Sequence, residues 1–190
     1  MARRRRVFVP GASVHVIQRG NNRGAVFGRR SDYERFIALL REAAARYEVA
    51  VHAFALMTTH VHLLVTPRSR FALPKTMKSC AGRYVQYFNR EYSRTGTLWN
   101  GRYKPILVDD ERHWLTCLRY IERNPVEAGM VRDPGEYPWS SYRTHAFGEP
   151  STWLTPHPLY LVSRVRTSWP RCRSAAPGWQ GATSENIGNI

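Results

Sequence analysis

A chain of 190 residues has room for one domain of ordinary size with a buried core, and is short for two catalytic lobes. Its 29 Lys plus Arg against 14 Asp plus Glu, a formal charge of +15, favour a polyanionic partner, nucleic acid first and an anionic membrane surface second. No stretch approaches the roughly 20 apolar residues of a membrane span, the run Arg3 to Arg6 lacks the apolar segment of a signal peptide, and three scattered cysteines, Cys80, Cys117 and Cys172, suggest neither a disulfide framework nor a zinc site; a cytoplasmic protein with reduced thiols is expected.

Val14 to Arg19 has strand composition and runs into Gly20-Asn21-Asn22-Arg23-Gly24, turn chemistry whose positive charge can meet phosphate or simply solvent. Ser31 and Glu34 form a capping-box pattern, so a helix is predicted to begin at Ser31; Tyr33, Phe36, Ile37, Leu40, Ala44 and Tyr47 then recur at helical spacing. Val49 to Met57 is apolar on both alternating faces, which predicts a central strand covered on both sides, and Thr58-Thr59 allows a bend after it. From His60 to Thr66 the period becomes two: Val61, Leu63 and Val65 point one way, His60, His62 and Leu64 the other.

A second helix is predicted from about Leu73 to Tyr92, opened by Pro74 in its first turn. It turns Leu73, Met77, Cys80, Ala81, Tyr84, Val85 and Phe88 inward and holds Lys75, Lys78, Arg83 and Arg90 on its other face. Thr95 to Asp109 reads as a loop or hairpin around Gly96 and Gly101, with Trp99, Arg102, Tyr103 and Lys104 clustered there. It leads to an edge strand near Ile106 to Val108, because Pro105 cannot donate to a central ladder. Asp110 is a good N-cap for a third helix, which Pro125 should end at Arg123 or Asn124. Asp133 to Pro150 is expected to pack as irregular structure, and the last 25 or so residues, which lose periodicity, to be mobile. Alternating strands and helices without repeats fit an α+β sheet with helices packed on one face.

Two histidines at i and i+2 of one strand bring their rings side by side, as a partial metal site or as a hydrogen-bonded pair in a half-buried place. On the third helix, at 100° per residue, Trp114, Leu115, Leu118 and Ile121 form one stripe, while Tyr120 falls off it beside His113, Cys117 and Asn124. Arg119 and Arg123 lie further toward solvent, so Tyr120 sits between core and a basic face, as a nucleophile within reach of DNA or as an ordinary boundary tyrosine. Asn124, one turn on, can complete an oxygen-and-nitrogen site with His60 and His62 or cap the helix before Pro125.

Four blocks carry a family resemblance: HVIQRGNNR from His15 to Arg23, MTTHVHLLVTP from Met57 to Pro67, YIERNPVEAG from Tyr120 to Gly129, and WSSY from Trp139 to Tyr142. In order and spacing, over roughly residues 10 to 145, the chain resembles the REP-associated tyrosine transposases and the related small insertion-sequence transposases with a catalytic HUH motif. One departure is Thr58-Thr59, where relatives commonly have Pro-Asn.

The resemblance implies a ferredoxin-like (RRM-like) antiparallel sheet and a transposase domain over residues 1–150; the remainder, 151–190, is expected from its lost periodicity to be a partly disordered C-terminal extension. It also implies DNA transposition by cutting and rejoining single-stranded or hairpin DNA through a 5′-phosphotyrosine at Tyr120. A divalent Mg²⁺ or Mn²⁺ would be held by His60, His62 and Asn124. Arg83, Arg90, Arg102, Lys104 and Arg119 are candidates for phosphate contacts, with Trp99 and Tyr103 available to stack on unpaired bases. The protein would act as monomer or homodimer. Two readings compete: a non-catalytic module binding single-stranded nucleic acid, and a metal-dependent nuclease using activated water.

Overall fold

A computed structural model describes residues 9–166. The arginine run Arg3 to Arg6, Cys172 and almost all of the tail expected to be mobile lie outside the described residues. Four strands, β1 (Ser13–Arg19), β2 (Val49–Met57), β3 (His60–Pro67) and β4 (Lys104–Val108), pair antiparallel in the order β2-β3-β1-β4. Among the described residues five α-helices accompany them: α1 (Arg30–Arg46), α2 (Ala72–Glu91), α3 (Glu111–Glu127), α4 (Tyr142–Phe147) and α5 (Pro158–Arg166).

The period-two pattern of β1 and β3 divides the core into two layers. Val61, Leu63 and Val65, which share one face as predicted, meet α1 and α2 there together with Val14 and Val16. Leu64, with Ala53, Ala55 and Met57 from β2, meets Trp114, Cys117, Leu118 and Ile121 of α3 on the other. That second face is the one His60 and His62 share, so α3 is laid over the histidines. Among the described residues no helix is long and apolar enough to cross a membrane.

Three local expectations are corrected. β2 is not a central strand but an edge of the sheet. It is apolar on both faces because chain from beyond α3 covers it and takes up its free polar groups. Leu56 N–H donates to the Trp139 carbonyl at 2.9 Å, Ser141 N–H to the Phe54 carbonyl at 3.0 Å, Thr155 N–H to the Val51 carbonyl at 2.8 Å, and the Tyr137 hydroxyl to the Leu56 carbonyl at 2.6 Å. Helix α1 is not capped by Ser31, which lies inside it; the buried Asp32 carboxylate accepts from the Gly28 and Arg29 N–H groups, each at 2.8 Å, and from the Tyr92 hydroxyl at 2.6 Å.

Helix α3 begins as predicted, with the Asp110 carboxylate accepting from His113 N–H at 2.7 Å, but it runs through Pro125. Proline removes only one ladder bond, and the real stop is Gly129 at φ +66°. Gly129 N–H bonds the Val126 carbonyl and Met130 N–H the Pro125 carbonyl, both at 2.9 Å, the paired bonds of a Schellman motif. Trp153 and Tyr160, at the start of the expected extension, pack on this domain: the Trp153 ring lies 5.2 Å from that of Phe54 and the Tyr160 hydroxyl donates to the His145 carbonyl at 2.8 Å.

Candidate active site

Antiparallel pairing sets Ile17 opposite His62 and Arg19 opposite His60, so odd-numbered residues of β1 share a face with both histidines. His15 on that face is buried, and its Nε2 lies 2.9 Å from His62 Nδ1. His60 Nδ1 lies 3.1 Å from the hydroxyl of Thr59, in the turn between β2 and β3. Each imidazole of the pair thus has Nδ1 engaged, which leaves Nε2 as the atom to ligate. The two rings stand 4.8 Å apart, centre to centre.

Tyr120 reaches this pair from α3. Its half-buried ring sits 5.6 Å from the His62 ring and 6.0 Å from that of His15, edge-on to both. The structure therefore brings together His60, His62 and Tyr120, the three residues on which the expected chemistry depends. Asn124 lies one turn further along α3, almost fully buried, and its Nδ2 donates to the Tyr120 carbonyl at 2.8 Å. Since α3 continues to Glu127, Asn124 does not serve as the C-cap.

Burial pushes the His60 imidazole down from 6.5 to about 4, with the guanidinium charge of Arg19 acting the same way. Burial, then the charges of His15, His60 and Arg19, holds His62 well below the ordinary histidine range. Both rings are neutral near pH 7, as metal ligands must be. Among the described residues no three or more His, Cys, Asp or Glu side chains form a metal-holding group, so any ion here has two imidazoles and needs its other ligands from different chemistry, such as a carboxamide or the substrate. Two neutral imidazoles presenting Nε2 fit a divalent ion.

The turn that carries His60 depends on Gly20. A Cβ built there would lie 2.3 Å from the Gly24 carbonyl oxygen and 2.8 Å from Val26 Cγ1, while Gly20 N–H donates to the Thr59 carbonyl at 2.8 Å. Gly20→Ala is expected to cost about 1–3 kcal/mol through overpacking, lowering the melting temperature by roughly 3–10 °C. Thermal unfolding followed by circular dichroism checks this, and an unchanged melting temperature would contradict the close approach.

The expected DNA-contacting residues divide between the layers. Lys104 pairs with Ile17 across the sheet edge and so shares the histidine face; Arg119, beside Tyr120, is exposed on α3. Arg83 and Arg90 belong to α2, on the opposite layer, where the Arg83 guanidinium donates to the Glu42 carboxylate at 2.6 Å. Trp99 and Tyr103 are buried in that layer too, the Trp99 indole N–H bonding the Ala81 carbonyl at 3.2 Å, so neither ring stands free as a stacking platform. Arg102, between the two in the chain, is exposed in the loop that leads into β4.

Three residues of the site were not singled out as such from the sequence: His15, Arg19 and Thr59. His15 and Arg19 differ by an even number of places on β1, a period-two signal that, with the strand pairing, places them beside His60 and His62. The WSSY block turns out to be structural: the Ser141 hydroxyl donates to buried Glu122 of α3 at 2.6 Å, and His145 Nδ1 meets the same carboxylate oxygen at 2.5 Å, fixing the helix that carries Tyr120.

Over residues 8–124 the sequence matches the family described as IS200-like transposase. A Haemophilus influenzae protein described as a REP-associated tyrosine transposase is 27% identical over 139 residues, covering 65% of this chain and 77% of that one. The fold is similar to that of a REP-associated tyrosine transposase solved bound to a REP hairpin, with a TM-score of 0.61 and 16% identity over 83% of this chain and 93% of that one.

Proposed function

The chain belongs to the IS200-like transposase family, and from that premise we propose that it cuts and rejoins single-stranded, hairpin-bearing DNA through a covalent 5′-phosphotyrosine at Tyr120. The observation that carries the reading is the contact of the Tyr120 ring with His62, itself paired with a second imidazole whose Nδ1, like its own, is already engaged. A boundary tyrosine without a role gives no reason for this grouping. Hairpin DNA as the substrate class is carried over from the protein of similar fold that holds a REP hairpin.

In the proposed reaction Tyr120 Oη attacks a backbone phosphorus. The Oη–P bond forms as the P–O3′ bond breaks, the phenolic proton is lost, and the departing 3′ oxygen ends as a hydroxyl. One strand is left with a 5′ phosphate on the tyrosine; attack by a 3′-OH reverses the step on the same or a new partner. A divalent ion, Mg²⁺ or Mn²⁺, held by Nε2 of His60 and His62 and the amide oxygen of Asn124, would polarise a non-bridging phosphate oxygen. Arg19, Lys104 and Arg119 supply positive charge on the histidine side of the sheet, where the phosphate must lie.

The test incubates the protein with Mn²⁺ and end-labelled hairpin oligonucleotides carrying single-stranded flanks, followed by a denaturing gel. A labelled species retained on protein, absent with chelator, supports the reading. Flank cleavage without such a species would replace it by a nuclease using activated water, and tight binding without cutting by a binding module.

His15 is assigned to hold His62 in the tautomer that presents Nε2. His15→Phe keeps a ring in place but leaves His62 Nδ1 without this partner. Mn²⁺ affinity, read by electron paramagnetic resonance in the absence of DNA, should fall about 10- to 100-fold. Unaltered Mn²⁺ binding would reduce His15 to a packing residue.

A further inference from the structure

A groove of about 610 Å³ lies between α2 and the loop that precedes β4. Its walls are mostly apolar, with Met77, Val85 and Trp99 among the lining residues, and half-exposed Phe71 stands in its lining with the Arg70 guanidinium 4.5 Å from the ring centre. Among the described residues, Arg70, Lys78 and Arg102 are its charged lining residues, and none of the lining residues is acidic. An apolar slot edged only by cations fits a flat, uncharged ring attached to a phosphate.

Two further observations point the same way. Gly82 lies in the middle of α2, where glycine is among the poorest helix formers, and a Cβ built on it meets nothing within 4 Å. The missing side chain leaves the groove open. Gln18, only 3% exposed, also lines the groove, where its carboxamide donates to the Gly101 carbonyl at 3.2 Å. It sits on β1 between Ile17 and Arg19, which face the histidines, so this part of the groove lies behind the stretch of strand that bears the candidate active site. β4 is the sheet edge, with Lys104 on the histidine face and Arg102 on the groove side, so a single strand can pass round that edge from one to the other.

We propose that this groove receives an unpaired nucleobase of the DNA strand engaged at Tyr120, the base lying against Phe71 in the apolar slot and its flanking phosphates meeting Arg70, Lys78 and Arg102. The proposal rests on the DNA reading of the active site and adds to it a second place where the strand is held, behind the sheet from the chemistry. The contact tells paired from unpaired DNA, because a base inside a duplex cannot enter the slot.

The experiment measures equilibrium binding in EDTA, so no cleavage intervenes, of two hairpins: one blunt, one with a single-stranded flank bearing 2-aminopurine. Gly82→Trp fills the groove from an open position, and Phe71→Ser removes the exposed ring without adding bulk. The full-length wild type should prefer the flanked hairpin by about tenfold and change the 2-aminopurine emission on binding. Both variants should lose that preference and that change while binding the blunt hairpin as before. A preference that survives both substitutions overturns the groove while leaving the active-site reading intact. A wild type that binds neither hairpin removes the DNA reading, and this site with it. DNA binding unchanged by Gly82→Trp but a shifted mass in light scattering would hand the groove to a second copy and overturn the proposal.

Discussion

A Tyr120→Phe protein should form no covalent adduct with hairpin DNA and should lose cleavage by roughly 10⁴-fold or more, the scale seen when the nucleophile is taken from enzymes that work through a covalent intermediate. The change deletes one oxygen. The ring contacts with His62 and His15 stay available, so folding and affinity for uncleaved DNA should move little. This separation makes the variant informative: with binding retained, loss of both adduct and nicked product assigns the hydroxyl to the chemistry. Nicking that persists at near wild-type rate would mean that water attacks and that Tyr120 only lines the site. Controls at His60 and His62 should also lose the adduct, but by weakening the Mn²⁺ response rather than by removing the attacking atom.

A steep loss of stability in mild acid is the second large effect. His15, His52 and His60 are each pushed from 6.5 to about 4, in every case chiefly by burial. For His52 the charges of His157 and His145 push the same way and a hydrogen bond to the Thr155 carbonyl opposes them. Between pH 6.5 and about 4 the unfolded chain therefore binds protons at these positions that the folded chain does not. Stability falls as the pH falls through that window and is fully present above it. Each histidine can contribute up to ~3 kcal/mol over the whole interval, less for His60, which is only partly buried, against a total stability of about 5–15 kcal/mol. The melting temperature should drop by roughly 10–20 °C from pH 7 to pH 4.5, most of it before carboxylates titrate. A profile flat down to pH 5 would mean that these rings are far better solvated than their packing implies.

Much of this architecture could be read before any coordinates. The alternation from His60 to Thr66, the inward stripe of α2 and the Asp110 cap are local signals, and each holds. Errors arose where a local signal has two physical causes. Apolar residues on both faces of a strand report cover, not position in the ladder, and β2 is covered at an edge by chain that lies more than 80 residues further on. Pro125 reads as a stop, yet Gly129, four residues later, carries the left-handed geometry that ends α3. In the site, His60, His62 and Tyr120 were legible because period and helix phase are local quantities. His15 and Arg19 come from another strand, and only the register of β1 against β3 places them. Trp99 and Tyr103 have a composition equally suited to gripping a base and to plugging a core; tertiary packing chose the core.

The cover over β2 has a consequence for how copies of the molecule meet. A sheet can be extended by a neighbour only at an edge with unpaired N–H and C=O groups. At β2 the carbonyls of Val51, Phe54 and Leu56 and the Leu56 N–H are already taken by the chain itself. The other edge is the five-residue β4, where Pro105 has no N–H to give and Lys104 carries charge. Strand-to-strand templating between crowded copies therefore has little purchase at either end of the sheet.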